Sequence, residues 1–205
     1  MRDLLARYPQ LSVIENEIQT SLNTIIKCYQ NGGNLLLCGN GGSAADCEHI
    51  VGELMKGFLS KRPINSKKRE LMKKNYPIED DVLDKLQDGL PAISLPSLVA
   101  INSAVCNDID ASLIYAQQLI SLGTSSDVLL AISTSGNSKN VIEAAKVAKA
   151  LGLTVIGLSG GSGGKLKELS NVCICVPESE TYKVQELHLP IYHYLCAAVE
   201  KHFFG

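Results

Sequence analysis

Residues 127–138 read DVLLAISTSGNS, from Asp127 to Ser138. Val128 to Ile132 are apolar without interruption, the pattern of a strand covered on both faces rather than one with a wet side. Ser133, Thr134, Ser135 and Ser138 then place four hydroxyls around Gly136, directly before a helical pattern that starts near Lys139. A strand that hands over to a helix through a short polar turn is half of a βαβ unit. The rest of the chain repeats it. Short apolar runs recur at 35–38, 92–95, 153–158 and 172–176, each bounded by Gly, Pro, Ser or Asp, and helices are expected at about 44–58, 98–106, 111–122, 139–151 and 182–203. This alternation implies an α/β fold, a three-layer, doubly wound sheet of five parallel strands.

Ahead of the first strand, Ile14, Ile18, Leu22 and Ile25 recur at helical spacing, which predicts an amphipathic helix over 11–29 that Asn31-Gly32-Gly33 stops. One segment breaks the rhythm. Residues 60–89, beginning SKRPINSKKRELMKKNYPIEDD, are basic before they are acidic and predict a charged helical insertion solvated at the surface. A partner-binding or substrate-covering role is the competing reading.

The 205 residues, 45% hydrophobic and 20% charged, suit one globular domain. A formal charge of −2 gives no electrostatic reason to expect nucleic acid or an anionic membrane as partner, so an anionic ligand must be held by local dipoles. Seven cysteines, odd in number and without CxxC spacing, fit reduced thiols in the cytoplasm better than a disulfide framework. Pro9 and the acidic residues near the start do not suit an export signal, and no apolar run is long enough to cross a bilayer as a helix.

The hydroxyl-rich loop lies where a strand's carboxyl end meets a helix N-terminus, which presents unpaired N–H groups and the positive end of the helix dipole. Phosphate is the expected ligand. Ser138 alone could be a helix cap, but a cap needs only one hydroxyl. Neither the dinucleotide fingerprint nor the GxxxxGK[ST] nucleotide loop is present. Cys38-Gly39-Asn40-Gly41-Gly42-Ser43 comes near the former without its third glycine in register, and it leads into a helix bearing ionisable groups.

On that helix His49 and Glu53 stand four residues apart, on one face. A salt-bridged face with Asp46 and Glu48 is the plain alternative. The last helix carries Gln185, His188 and His193 along one broad face, with His188 read as structural. Moving a proton between adjacent sugar carbons needs a base and an acid, for which Glu53 and His193 are candidates. His49, Glu53, Gln185 and His193 could equally hold one Zn²⁺, and spacing does not separate the two roles.

These motifs, CGNGGSAAD at 38–46, the His49 and Glu53 pair, Cys106-Asn107-Asp108, DVLLAISTSGNS, and VQELH at 184–188 with His193, resemble the phosphoheptose isomerases of the SIS fold along most of the chain. The resemblance implies a homotetramer, with active sites between subunits, that interconverts sedoheptulose 7-phosphate and D-glycero-D-manno-heptose 7-phosphate for bacterial surface glycans. Glu53 matches the family's base and His193 its acid. Asn40, Gly41, Ser43, Asp108, Ser133, Thr134, Ser135, Ser138 and Gln185 fall where the family contacts substrate, and His49, Glu53, Gln185 and His193 match a zinc set in some members. Two departures stand out: segment 60–89 reads as longer than the usual connection, and Tyr182 replaces a frequent aspartate. The alternatives are a non-catalytic SIS-fold protein that binds a replication initiator, or a sugar-phosphate sensor.

Overall fold

The computed structural model describes residues 1–205. The five apolar runs form strands β1 (Leu35–Cys38), β2 (Ala92–Ser94), β3 (Val128–Ile132), β4 (Thr154–Gly160) and β5 (Val172–Val176). All are parallel, in the order β2-β1-β3-β4-β5. From β1 the chain moves outward to β2, then returns past β1 to build β3, β4 and β5. The winding therefore reverses between β1 and β3, and in such sheets ligands bind outside the carboxyl ends of the strands at that switch point.

Strand side chains alternate between two cores. Leu35, Leu37, Val128, Leu130 and Ile132 pack against α2 (Glu15–Gln30), α3 (Gly42–Met55) and α10 (Thr181–Phe204) through Ile18, Ile25, Ile50, Leu54, Ile191 and Leu195. Leu36, Cys38, Leu129 and Ala131 face the opposite layer, where Tyr115 and Leu119 of α7 (Ile114–Leu122) meet Val141 and Ala145 of α8 (Lys139–Ala150). Helices thus cover both faces, as the doubly wound reading requires.

The differences from the sequence reading are local. The strand expected over 92–95 ends at Ser94, because Leu95–Ser97 is a 3-10 turn that contains Pro96. The helix expected over 111–122 opens as a 3-10 turn, Ala111–Leu113, where Asp110 accepts the Ser112 N–H. The helix expected over 44–58 starts earlier and stops at Met55. Two six-residue helices, α1 (Arg2–Arg7) and α9 (Gly164–Leu169), were not anticipated, since six residues are too few to display a helical period. Between β4 and the preceding α6 (Val99–Asp108) the remaining elements fall where expected.

Segment 60–89 is helical, with α4 (Ser66–Asn75) and α5 (Asp80–Lys85) clipped together where Arg69 meets Asp80 at 2.9 Å and Asp84 at 2.6 Å. Its root departs from the solvated insertion expected. Arg62 is fully buried, and its Nε donates to Glu200 Oε1 at 2.8 Å while its other nitrogens donate to the Leu54 and Glu53 carbonyls. Those carbonyls lie in the last turn of α3, where no N–H of the helix follows to pair with them, and that of Leu54 also accepts the Leu90 N–H. Glu200 also accepts the N–H groups of Phe58, Leu59 and Ser60. Every nitrogen of Arg62 and both oxygens of Glu200 therefore have a partner, the condition under which a buried ion pair persists.

Removing one partner strands the other. Arg62→Met is expected to lower stability by about 3 kcal/mol, read from the urea midpoint. Burial by itself would raise the Glu200 carboxyl, but the Phe58 and Leu59 N–H groups and Arg62 outweigh it and hold it below the ordinary value of 4.5. A lowered folded-state pKa contributes stability above the unfolded value and loses it as pH falls through the folded one. The stability gap between the unsubstituted protein and Glu200→Gln should therefore close on acidification below about pH 4.5; a gap unchanged down to pH 3 would assign it to another cause.

Candidate active site

The loop after β3 is pinned from below. The Ser133 N–H donates to the Leu158 carbonyl, the Gly160 N–H to the Thr134 carbonyl and the Ser159 hydroxyl to the Ser133 carbonyl, so the end of β4 holds its base. Gly136 has φ +65°, and a Cβ there would overlap the Gly163 carbonyl. The turn entering α9 thus supports the loop from one side, an approach that only glycine allows. The N–H groups of Thr134, Ser135, Ser138, Lys139 and Asn140 have no backbone carbonyl partner. Ser138 occupies the N-cap of α8 yet makes no capping bond, and its hydroxyl instead lies 3.0 Å from the Ser133 hydroxyl. The plain capping reading therefore fails, and what remains is a concave set of donors at a helix start, suited to an anion.

The loop after β1 emerges alongside, because β1 and β3 pair in register from Leu35↔Val128 to Cys38↔Ala131. The Tyr115 hydroxyl donates to the Gly39 carbonyl at 2.6 Å, and the Asn40 carboxamide pairs with that of Asn140 across the two loops. Gly41 has positive φ, +54°, and begins α3; Ser43 is buried in its first turn. Gly42 packs directly against the Gln185 carboxamide of α10.

Further along the α3–α10 contact, His49 Nε2 lies 3.3 Å from Glu53 Oε1 and 3.4 Å from His193 Nε2. His49 Nδ1 is 3.1 Å from the Tyr192 hydroxyl, which itself donates to Asp46 Oδ1 at 3.1 Å. One hydroxyl has one proton, so with that proton on Asp46 the His49 Nδ1–H must donate to Tyr192. His49 Nε2 then meets a carboxylate oxygen. That distance suits a proton shared between His49 Nε2 and Glu53, or a cation held between them. Burial first, then the neighbouring His49, draws His193 below its ordinary value, with Glu53 opposing. A neutral imidazole of this kind can give or take a proton near neutral pH.

The salt-bridged-face reading of α3 holds only in part: Asp46 serves Tyr192 and Glu48 accepts the Ser97 hydroxyl, while Glu53 lies 3.3 Å from His49 and 3.9 Å from Lys56. As a metal donor set the residues fit in part. The 3.3 and 3.4 Å separations match the edge of a tetrahedron whose metal–ligand bonds are about 2.05 Å. Only the edges through His49 are short, and no closed cage of three such side chains is preformed. Gln185 stands two turns, about 12 Å, before His193 on α10.

Asp108, at the exposed end of α6, accepts from Asn107 rather than from any other candidate. His188 is fully buried, its Nε2 3.3 Å from the Ser159 carbonyl, and burial pushes it down to about 4. Sequence reasoning gave no part in the site to Tyr192, Asn140 or Tyr115. An asparagine in a helix's first turn and a tyrosine among apolar residues carry no local signal of the partners they meet.

The sequence matches the family model described as SIS domain over residues 3–82 and 88–160. Residues 60–82 and 88–89 of the charged segment lie within the matched ranges. The chain is 36% identical over 193 residues to the phosphoheptose isomerase of Helicobacter pylori (strain P12), covering 94% of this chain and 88% of that one. It is 38% identical over 179 residues to the phosphoheptose isomerase of Aneurinibacillus thermoaerophilus, covering 87% and 78%. Among solved structures, phosphoheptose isomerase GmhA from Neisseria gonorrhoeae superposes with a TM-score of 0.77 at 29% identity, covering 98% of this chain and 94% of that one. A phosphoheptose isomerase from Francisella tularensis gives 0.78 at 32% identity, covering 96% and 91%. A switch-point loop of unpaired donors, a five-stranded parallel sheet and likenesses that span nearly the whole chain agree: it belongs to the SIS domain family, among the phosphoheptose isomerases.

Proposed function

We propose that this chain interconverts sedoheptulose 7-phosphate and D-glycero-D-manno-heptose 7-phosphate. The observation that carries the reading is the contact joining Glu53, His49 and His193 on two helices that also meet at Gly42 and Gln185, next to the Asn40–Asn140 link to the anion-suited loop. The phosphate rests on the free N–H groups and hydroxyls of Ser133, Thr134, Ser135 and Ser138, while Asn40, Gly41, Ser43, Asp108 and Gln185 contact the sugar. About 10 Å of α3 separates Gly42 from His49, which supports a substrate of several carbons between its phosphate and its reacting end.

Glu53 removes the proton from C1 of the open-chain ketose and returns it to C2, and His193 moves a proton between the two oxygens of the enediol. Half-buried Glu53 is shielded enough to act as a base, and the low proton affinity of His193 leaves it neutral. A Zn²⁺ held by His49, Glu53, Gln185 and His193 would polarise the carbonyl. The Asp46–Tyr192 pair orients His49 whichever positive charge it meets.

His193 lines a groove of about 500 Å³ with Arg7, Tyr8, Phe58, Leu59 and Leu189. With Val99, Ile101 and Ile109 exposed on and beside α6, this supports a homotetramer in which neighbours complete the site. No helix is long and apolar enough to cross a membrane. A cytoplasmic enzyme that supplies heptose for surface glycans fits these features. The relatives named above are enzymes, which disfavours a non-catalytic initiator-binding protein or sensor.

Glu53→Gln and His193→Ala should each reduce kcat on sedoheptulose 7-phosphate by about 10³-fold, while calorimetry still detects binding of the phosphate ester. Near-normal turnover in Glu53→Gln would remove it as the base. Dialysis against a chelator, with metal content measured alongside the rate, separates the two accounts of the His49–Glu53 contact. Lost zinc with lost activity, both restored by Zn²⁺, is expected of a metal site, whereas a protein with no bound zinc and full activity assigns the contact to a shared proton.

A further inference from the structure

The loops after β1 and β3 are joined by one pair of side chains. Asn40 Nδ2 donates to Asn140 Oδ1, and Asn140 Nδ2 donates back to Asn40 Oδ1, both at 2.8 Å. A carboxamide has two N–H donors and an oxygen with two lone pairs. Such a reciprocal pair is equally satisfied when both amides are flipped, so by itself it does not decide which way Asn40 points. The Val141 N–H decides it, donating to Asn140 Oδ1 at 3.0 Å. That N–H belongs to the first turn of α8, where no carbonyl of the helix can accept it, and it would face another N–H if Asn140 turned over. With Asn140 set, Asn40 must keep its oxygen toward Asn140 Nδ2. That oxygen is also approached by the Tyr115 hydroxyl at 3.1 Å. One group of the Asn40 amide is left over, the second Nδ2–H, on an exposed side chain at the sheet's switch point.

We propose that Asn140 is a positioning residue: it locks the Asn40 carboxamide in the one flip state that offers ligand a donor, so that Asn40 selects an oxygen acceptor such as a sugar hydroxyl or ester oxygen. Its oxygen accepts from Asn140 and has the Tyr115 hydroxyl packed against it, so it is not offered. The inference deepens the reading of Asn40 as a substrate contact and rests on it. The latch also fixes the span between the two loops, because Asn140 sits beside the unpaired N–H groups of Ser138 and Lys139.

The test is a double-mutant cycle on sedoheptulose 7-phosphate with Asn40→Ala, Asn140→Ala and the pair combined, plus Asn140→Asp. Each alanine variant should lose about tenfold in kcat/KM, and the combined variant no more than either, because Asn140 acts only through Asn40. Asn140→Asp keeps the shape but turns a carboxylate oxygen toward the Asn40 oxygen, and should lose at least as much, in KM more than in kcat. Unfolding midpoints within about 2 °C of the unsubstituted protein separate this from a loosened helix start. Losses that multiply in the combined variant, or full activity in Asn140→Ala and Asn140→Asp beside an impaired Asn40→Ala, overturn the positioning role. A fully active Asn40→Ala overturns the substrate contact beneath it.

Discussion

Parallel pairing of β1 with β3 is the constraint on which the functional edge of this molecule depends. Four residues in register bring the two strands to an end side by side, and the reversal of winding between them leaves a crevice that no crossover helix fills. The loop that begins at Gly39 and the loop that begins at Ser133 open into it together. Only in that arrangement can Asn40 reach Asn140, and only there do the donors at the start of α8 face a second polar loop.

A chain of net charge −2 can hold an anion without a basic patch where the field is local. Backbone N–H groups at a helix start carry fixed partial charge and need no reorganisation when the ligand arrives. Their concave arrangement is maintained by close backbone contact, Gly136 against Gly163, and by hydrogen bonds from the end of β4. At the other end of the site, chemistry rests on one helix contact. Packing of α3 on α10 brings His49 between Glu53 and His193, and the Asp46–Tyr192 pair orients the ring in the middle.

The buried Arg62–Glu200 pair links that chemistry to the charged segment. Arg62 satisfies the last carbonyls of α3, including that of Glu53, while Glu200 gathers the N–H groups of the chain that leaves the helix. The final turn of α3, which carries the candidate base, is thereby anchored to α10 independently of the apolar packing beneath it. A segment that looks like solvated surface by composition thus has a root that fixes the geometry of the site, with its helices α4 and α5 projecting beyond.

Much of this was legible beforehand. Uninterrupted apolar runs marked the five strands, because a strand buried on both faces has no polar position. The hydroxyl-rich loop was legible because an anion site at a helix start uses consecutive residues, and His49 with Glu53 because one helical turn relates them. The rest depended on contacts between distant positions: His49 meets His193 across 144 residues, Asn40 meets Asn140 across 100, and Arg62 meets Glu200 across 138. By itself the sequence determined the elements and the hydroxyl-rich turn at a helix start, since periodicity and residue order encode both. Which side chains meet was decided only by the tertiary structure, because strand order and the rotation of each helix about its axis select among partners that composition leaves equivalent.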